Sequence, residues 1–303
     1  MPVVMELRHC LVLLAAAVVV GCGGGGKSND APQDVETQIG LGSREGIMEL
    51  QSRVEGRIRD CMKAQGFDYT PVDPFAQQQA LTGKARLTDE EFVKQFGYGI
   101  STLFGRGNPQ SDPNERIRQS LSAADRAAYD RALFGETPGA TFAEAADAGD
   151  FTDLGGCTKQ ATDAVLGGAA ALNEIVGKLD ELDQRIIEDQ RMVKATERWS
   201  ACMRDKGYRY DESDAIDEDL QRRFQGIVGV GVRPGATTVP PGASYDRAAL
   251  VALQREEVKL GNADLECEKR EITPVEQKVR PQYEKEFSQQ NSKLIERVKP
   301  GGS

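Results

Sequence analysis

The chain has 303 residues, of which 48 are acidic, 38 basic and one a histidine, His9. That length allows one large domain or two modest ones. His9 lies in a segment read below as removable, so the mature chain holds no histidine. This excludes Ser-His-Asp and Cys-His catalysis and histidine metal sites, and neither a metal-ligand set nor a cofactor is expected. From Cys22 onward, Leu, Ile, Val and Phe make up 56 of 282 residues. Roughly one in five is close to the limit at which a chain can bury a full core. Helices with narrow apolar stripes suit that supply better than a thick α/β core.

The start, MPVVMELRHC LVLLAAAVVV GC, places Arg8 before an apolar run from Leu11 to Val20. Such a run is too short to span a bilayer but fits a signal-peptide core. Val19-Val20-Gly21-Cys22 resembles a bacterial lipobox, whose cysteine is acylated and becomes the new N-terminus. Residues 1–21 are therefore read as a lipoprotein signal peptide. Cys22 is read as the lipidation site and the lipid bilayer as a partner reached through its acyl chains. Removing residues 1–21 takes away Glu6 and Arg8, so the net charge stays at −10. An acidic surface of this kind repels nucleic acid and anionic lipid head groups. Residues 22–42, Gly-rich and polar, read as a flexible tether.

Helical periodicity begins at Arg44. Ile47, Leu50, Val54, Ile58 and Cys61 recur at three- and four-residue steps until Gly66 stops the helix. Thr88-Asp89-Glu90-Glu91 opens a short helix ending at Gly97, and Ser122-Ala123-Ala124-Asp125 opens another ending at Gly135. A long pattern starts near Cys157 and runs through Leu172, Ile175, Leu179, Leu182, Ile186, Val193 and Trp199 to Gly207, with a break possible at Gly167-Gly168. The acidic run Asp211, Glu212, Asp214, Asp217, Glu218, Asp219 departs from the calcium-loop pattern and reads as the negatively charged start of a helix. Residues 229–244 form a Pro/Gly/Thr loop. Thr273-Pro274-Val275-Glu276 has the chemistry of a helix start, with Thr as cap and Glu completing a capping box.

Four short blocks occur twice in the same order. Cys61-Met62, Gly66, Phe67 and Tyr69 match Cys202-Met203, Gly207, Tyr208 and Tyr210. Asp89-Glu90-Glu91-Phe92 matches Asp217-Glu218-Asp219-Leu220, Tyr129-Asp130-Arg131-Ala132 matches Tyr245-Asp246-Arg247-Ala248, and Cys157 matches Cys267. The spacing implies a duplication, with units at about 44–180 and 185–298 in a helical domain of residues 43–303. In the first block, Gly66 falls at the left-handed position after the helix. Phe67 and Met62 then meet in a Schellman ending, as do Tyr208 and Met203 around Gly207.

The lipobox, the repeated C-M-x3-G-[FY]-x-Y, Ala263-Asp264-x-x-Cys267 and Phe96-Gly97-Tyr98-Gly99-Ile100-Ser101-Thr102 resemble secreted lipoproteins of high-GC Gram-positive bacteria. That resemblance implies a localisation, the outer face of the cytoplasmic membrane, and no activity. The second unit has Gly226-Ile227-Val228-Gly229 where the first has its Gly-Tyr-Gly run, so a site carried by that run would belong to the first unit alone.

Four cysteines besides Cys22, namely Cys61, Cys157, Cys202 and Cys267, imply two disulfides outside the cytoplasm. The expected pairs are Cys61–Cys157 and Cys202–Cys267. Each first cysteine sits in the last turn of a helix, and each second one near the start of a later helical segment. Cys157 and Cys202 would lie about 68 Å apart on a straight helix, beyond bridging distance unless the chain folds back at Gly167-Gly168. Cys61–Cys202 with Cys157–Cys267 would cross the units and is disfavoured by the duplication. The fold expected is all-α, with elongated antiparallel long helices, shorter inserted helices, two related units and two disulfides. The function expected is a non-catalytic binding or scaffold role with an envelope protein partner such as a transporter component. A cell-wall or small-molecule binder, and a carboxylate-dependent wall hydrolase, are the alternatives.

Overall fold

The computed structural model describes residues 35–107, 113–136, 139–240 and 242–299. The signal segment and Cys22 lie outside the described residues. The described residues are helix and loop, tied by disulfides Cys61–Cys157 and Cys202–Cys267, with Cα–Cα distances of 5.6 and 5.8 Å. The all-α fold and both pairings follow the sequence expectation.

The elements run in the order α1 (Val35–Ile39), α2 (Arg44–Ala64), α3 (Pro74–Thr82), α4 (Asp89–Phe96), α5 (Pro113–Ser120), α6 (Ala123–Phe134) and α7 (Phe142–Ala148). These are followed by α8 (Gly156–Leu166), α9 (Ala169–Ile187), α10 (Gln190–Asp205), α11 (Asp214–Val228) and α12 (Arg247–Cys267). A π-helical turn, Glu268–Ile272, leads without interruption into α13 (Thr273–Val298).

Local chemistry sets many of the ends. Ser43 Oγ accepts the Gly46 N–H at the start of α2, and Leu50, Val54, Ile58 and Met62 form its buried stripe. At the other end Gly66 takes φ +85°, Phe67 N–H reaches Met62 O at 3.0 Å and Gly66 N–H reaches Lys63 O at 3.1 Å. This is the Schellman pattern. It recurs after α10, with Tyr208 N–H on Met203 O at 2.9 Å and Gly207 N–H on Arg204 O at 2.9 Å. Thr88 and Glu91 complete the capping box of α4, and Ser122 caps α6.

Among the described residues three large buried clusters result, beside a small one of Leu87, Phe92 and Phe96. The first gathers α2, α6, α7 and α8 around Val54, Met62, Tyr129 and Leu166 beside the Cys61–Cys157 bridge. The second gathers α10, α11 and α12 around Trp199, Met203, Leu220 and Phe224 beside Cys202–Cys267. The third lies between α9 and α13, which run antiparallel: Arg185 pairs with Glu286 and Glu174 with Arg297 at opposite ends.

Four sequence expectations are corrected. The tether reading of 22–42 ends too late, because residues 35–39 form α1 and bury Val35 and Ile39 (each 1% exposed) against the α9–α13 cluster. The pattern from Cys157 to Gly207 is three helices. It breaks at Gly167 and Gly168, where φ is +71° and +105°, and again at Glu188-Asp189. The second break has a reason in the apolar phase. Ile186 and Met192 are six residues apart, out of step for one helix face, and the break lets both be buried. Asp189 caps the new start by accepting the Arg191 N–H at 2.8 Å, and Val193, expected in the stripe, is left 38% exposed. The straight-helix premise behind the disulfide argument therefore does not hold, although the pairing does.

Thr273 does not cap a helix start. Pro274 has no N–H and its ring crowds the carbonyl four residues back. The chain widens into a π turn there, in which Thr273 N–H reaches Glu268 O, and it stays helical. Finally, the cores do not divide the chain near residue 180. Ile100 and Phe104, in the earlier part of the sequence, pack toward α12 and α11: both belong to the second cluster, and the Phe104 ring lies 5.3 Å from that of Phe224.

Candidate functional site

The most polar buried region lies where the turn after α4 meets α12. The backbones come very close there. A Cβ on Gly97 would lie 2.6 Å from Glu257 O, and one on Gly261 would lie 2.9 Å from Gly97 Cα. Gly97 also has φ +62°, so both its conformation and its contact call for glycine.

This approach wraps the turn around Glu257, which is fully buried at 0% exposure. Its Oε1 accepts the Ile100 N–H at 2.7 Å. Its Oε2 accepts the Ser101 N–H at 2.8 Å, the Thr102 N–H at 3.2 Å and the Ser101 hydroxyl. Thr102 in turn donates its hydroxyl to Phe96 O at 2.6 Å, and Gln254 Nε2 donates to Ser101 O at 2.9 Å. Burial raises the Glu257 pKa, opposed by the hydrogen bonds from Ser101, Ile100 and Thr102.

Two turns along α12, roughly 10 Å away, Asp264 is also buried. Its Oδ1 accepts the Trp199 indole N–H at 2.8 Å and its Oδ2 accepts the Tyr98 hydroxyl. Burial pushes the Asp264 carboxyl up, against the Tyr98 and Trp199 bonds. Burial, and then the Asp264 charge, holds Tyr98 well above the usual phenol range. One turn further, half-buried Glu268 opens the π turn. Its carboxyl is pushed up to about 8, first by burial and then by the charges of Asp264 and Glu276.

Glu268 is expected to give this protein an unusual pH response. Folded, the group keeps its proton to about pH 8, whereas unfolded it loses it near 4.5. The folded state therefore binds the extra proton, and stability falls as pH rises across that window. Carboxylates with lowered values, such as Glu90 and Glu271, are largely ionised in both states above pH 5 and add only a small opposing slope there. Chemical denaturation should show stability dropping by about 1–2 kcal/mol between pH 5 and 8, after allowance for the partial access of water to this group. Glu268→Gln should make the profile shallower, with the raised Asp264 and Glu257 carboxyls keeping part of the slope; an equal slope in that variant would refute the assignment.

The other residues singled out in the sequence have structural places. The four cysteines close the two bridges. Tyr129 is buried in the first core and Asp130 pairs with Arg118, whereas Asp246 caps α12 and Tyr245 packs edge-on to Phe104. The matched motifs thus do different work. In the acidic run, Asp214 and Asp217 lie in the first turn of α11, and Asp219 pairs with Arg222 and Arg223. Among the described residues, no group of three or more acidic, cysteine or histidine side chains is placed to hold a metal ion.

Glu257 was not singled out in the sequence, although a signal exists. It stands in the apolar stripe of α12, between the buried Leu253 and Leu260, where a carboxylate needs internal donors. Neither carboxylate opens to a cleft. An open recess of about 610 Å³ lies elsewhere, between α1 and α2, lined by Gly40, Gly42, Gly46, Glu45, Glu49 and Arg53 among others. No protein-family model, curated protein or solved structure matches the chain.

Proposed function

We propose that this chain is a lipoprotein anchored through acylated Cys22 on the outer face of the cytoplasmic membrane. Its helical domain acts without catalysis, as a binding or scaffold element for an envelope protein partner such as a transporter component. One observation supports the non-catalytic reading above the others: Glu257 and Asp264, the two carboxylates of the buried polar region, are closed off and already bonded to internal donors. A wall hydrolase needs two carboxylates facing each other across an accessible cleft. The two disulfides suit an oxidising compartment, and the apolar run with its lipobox supports the anchor. The matched helix endings at Gly66 and Gly207, each followed by an aromatic residue, support descent of the two disulfide-closed segments from one unit. In the alternative reading, a cell-wall or small-molecule binder, the open recess lined by Gly40, Gly42 and Gly46 is the place to look for the ligand.

Cross-linking in cells followed by purification should recover one envelope protein in constant ratio. Recovery of none, with a small molecule retained instead, would favour the recess. Cys22→Ser should release the protein from membranes or leave it unprocessed; normal cleavage after Gly21 with full membrane retention would refute the anchor.

A further inference from the structure

The outward face of α13 differs in charge from the chain as a whole. Opposite the buried Val279, Phe287, Leu294 and Val298, the exposed residues include Lys278, Gln282, Lys285, Gln289, Lys293 and Glu296, with Glu286 and Arg297 exposed at the margin. Lys278 and Lys285, seven residues apart, lie on one side of the helix, and Lys293, beyond a kink at Asn291, is exposed as they are. Among the described residues none of the three ammonium groups has an acidic partner. The nearby acids are already engaged, Glu286 with Arg185 and Glu296 with Lys299. A ridge with three uncompensated positive charges thus stands on a chain of net charge −10.

The ridge is also close to the start of the domain. Val35 and Ile39 of α1 are buried against α13, in one cluster with Val279, Phe287 and Leu294. Val35 lies thirteen residues on from Cys22, and a chain of that length spans at most about 45 Å however it is folded. An anchor at Cys22 therefore holds Val35, and the part of α13 it packs on, within about 45 Å of the bilayer.

We propose that the lysine ridge of α13 is the membrane-facing side of the domain and rests on anionic phospholipid head groups. The proposal depends on the anchored reading above. The overall negative charge does not prevent it. Repulsion from charges on the far side is screened beyond about 8 Å at physiological salt, while the ridge acts at contact. Each lysine at an anionic surface raises occupancy about fivefold. Against a tethered domain that is enough to select one orientation.

The test uses the full acylated chain in vesicles carrying a spin-labelled head group. A fluorophore is placed at Gln289→Cys on the ridge or at Gln184→Cys on the outward face of α9. With a third of the lipid as phosphatidylglycerol, the Gln289 label should be quenched several-fold more than the Gln184 label. That excess should vanish in Lys278→Glu/Lys285→Glu/Lys293→Glu, in the corresponding triple glutamine variant, in about 0.5 M salt and in pure phosphatidylcholine. Equal quenching at the two positions, or an excess indifferent to the lysines, would overturn the ridge. Flotation with pure phosphatidylcholine vesicles reads the anchor separately. If the chain fails to float there, the anchored reading falls. The ridge then stands only if flotation with phosphatidylglycerol vesicles depends on the lysines, and it falls if it does not.

Discussion

Replacing Cys202 and Cys267 by serine is expected to lower the unfolding free energy by about 4 kcal/mol, and replacing Cys61 and Cys157 by slightly more. The bridges close segments with sequence separations of 65 and 96 residues. Loop-closure entropy in the unfolded chain gives about 4.3 and 4.7 kcal/mol for such loops. Domains of ordinary stability have only about 5–15 kcal/mol in total, so losing both bridges should leave the chain largely unfolded at growth temperature. Three of the four sulfurs are embedded in the cores: Cys157 and Cys267 are 0% exposed and Cys202 is 2% exposed. The serine hydroxyls left behind would need donors or acceptors there. Urea titration followed by tryptophan fluorescence measures this directly, since the single tryptophan, Trp199, packs in the same cluster as Cys202–Cys267. A loss below about 1 kcal/mol for either pair would show that the loop-closure account does not apply.

Glu257→Ala is expected to cost about 3–5 kcal/mol, the other large effect. The substitution leaves three backbone N–H groups and the Ser101 hydroxyl facing an apolar hole where a carboxylate had accepted all four. Each abandoned buried donor costs about 1–3 kcal/mol. The sum is tempered because the variant no longer has to bury a charge, a cost visible in the raised Glu257 pKa. Glu257→Gln keeps one acceptor oxygen but turns an NH₂ toward donors, so it should be destabilising as well, though less so than alanine. Hydrogen exchange at Ile100, Ser101 and Thr102 should speed up in both variants before the rest of the chain is affected. Protection of those three amides unchanged from the parent would contradict the cradle.

The features legible in the sequence are those with short-range causes. Gly66, Gly207, Thr88 and Ser122 mark helix ends through hydrogen bonds spanning a few residues, and each takes its expected role. The break at Asp189 was also written locally, in the six-residue step from Ile186 to Met192, but Val193 offered a false continuation of the stripe. Thr273-Pro274 misled because the same proline that suits a helix start also forces a π turn inside a helix that tertiary contacts keep intact. The docking of the turn after α4 was not legible. It depends on Gly97 meeting Gly261 and on amides meeting a carboxylate about 156 residues later in the chain, and no local pattern encodes that encounter. The short Val35–Ile39 helix was hidden for a similar reason. Its few apolar residues acquire meaning only against α9 and α13.

The late arrival of Glu257 constrains how the protein can be built. A chain that emerges amino-terminus first presents Ile100 and Phe104 long before α12 exists to cover them. Closing Cys61–Cys157 does not help, because these side chains belong in the other core. The first half therefore waits, with an apolar segment uncovered, until the last quarter of the sequence has been delivered. A nascent chain stopped before Arg247 should be cut by protease between Gly97 and Phe104, and the complete chain should resist at the same bonds. Chaperone demand during biogenesis would then be set by how quickly the carboxyl-terminal quarter follows, rather than by the folding rate of either half.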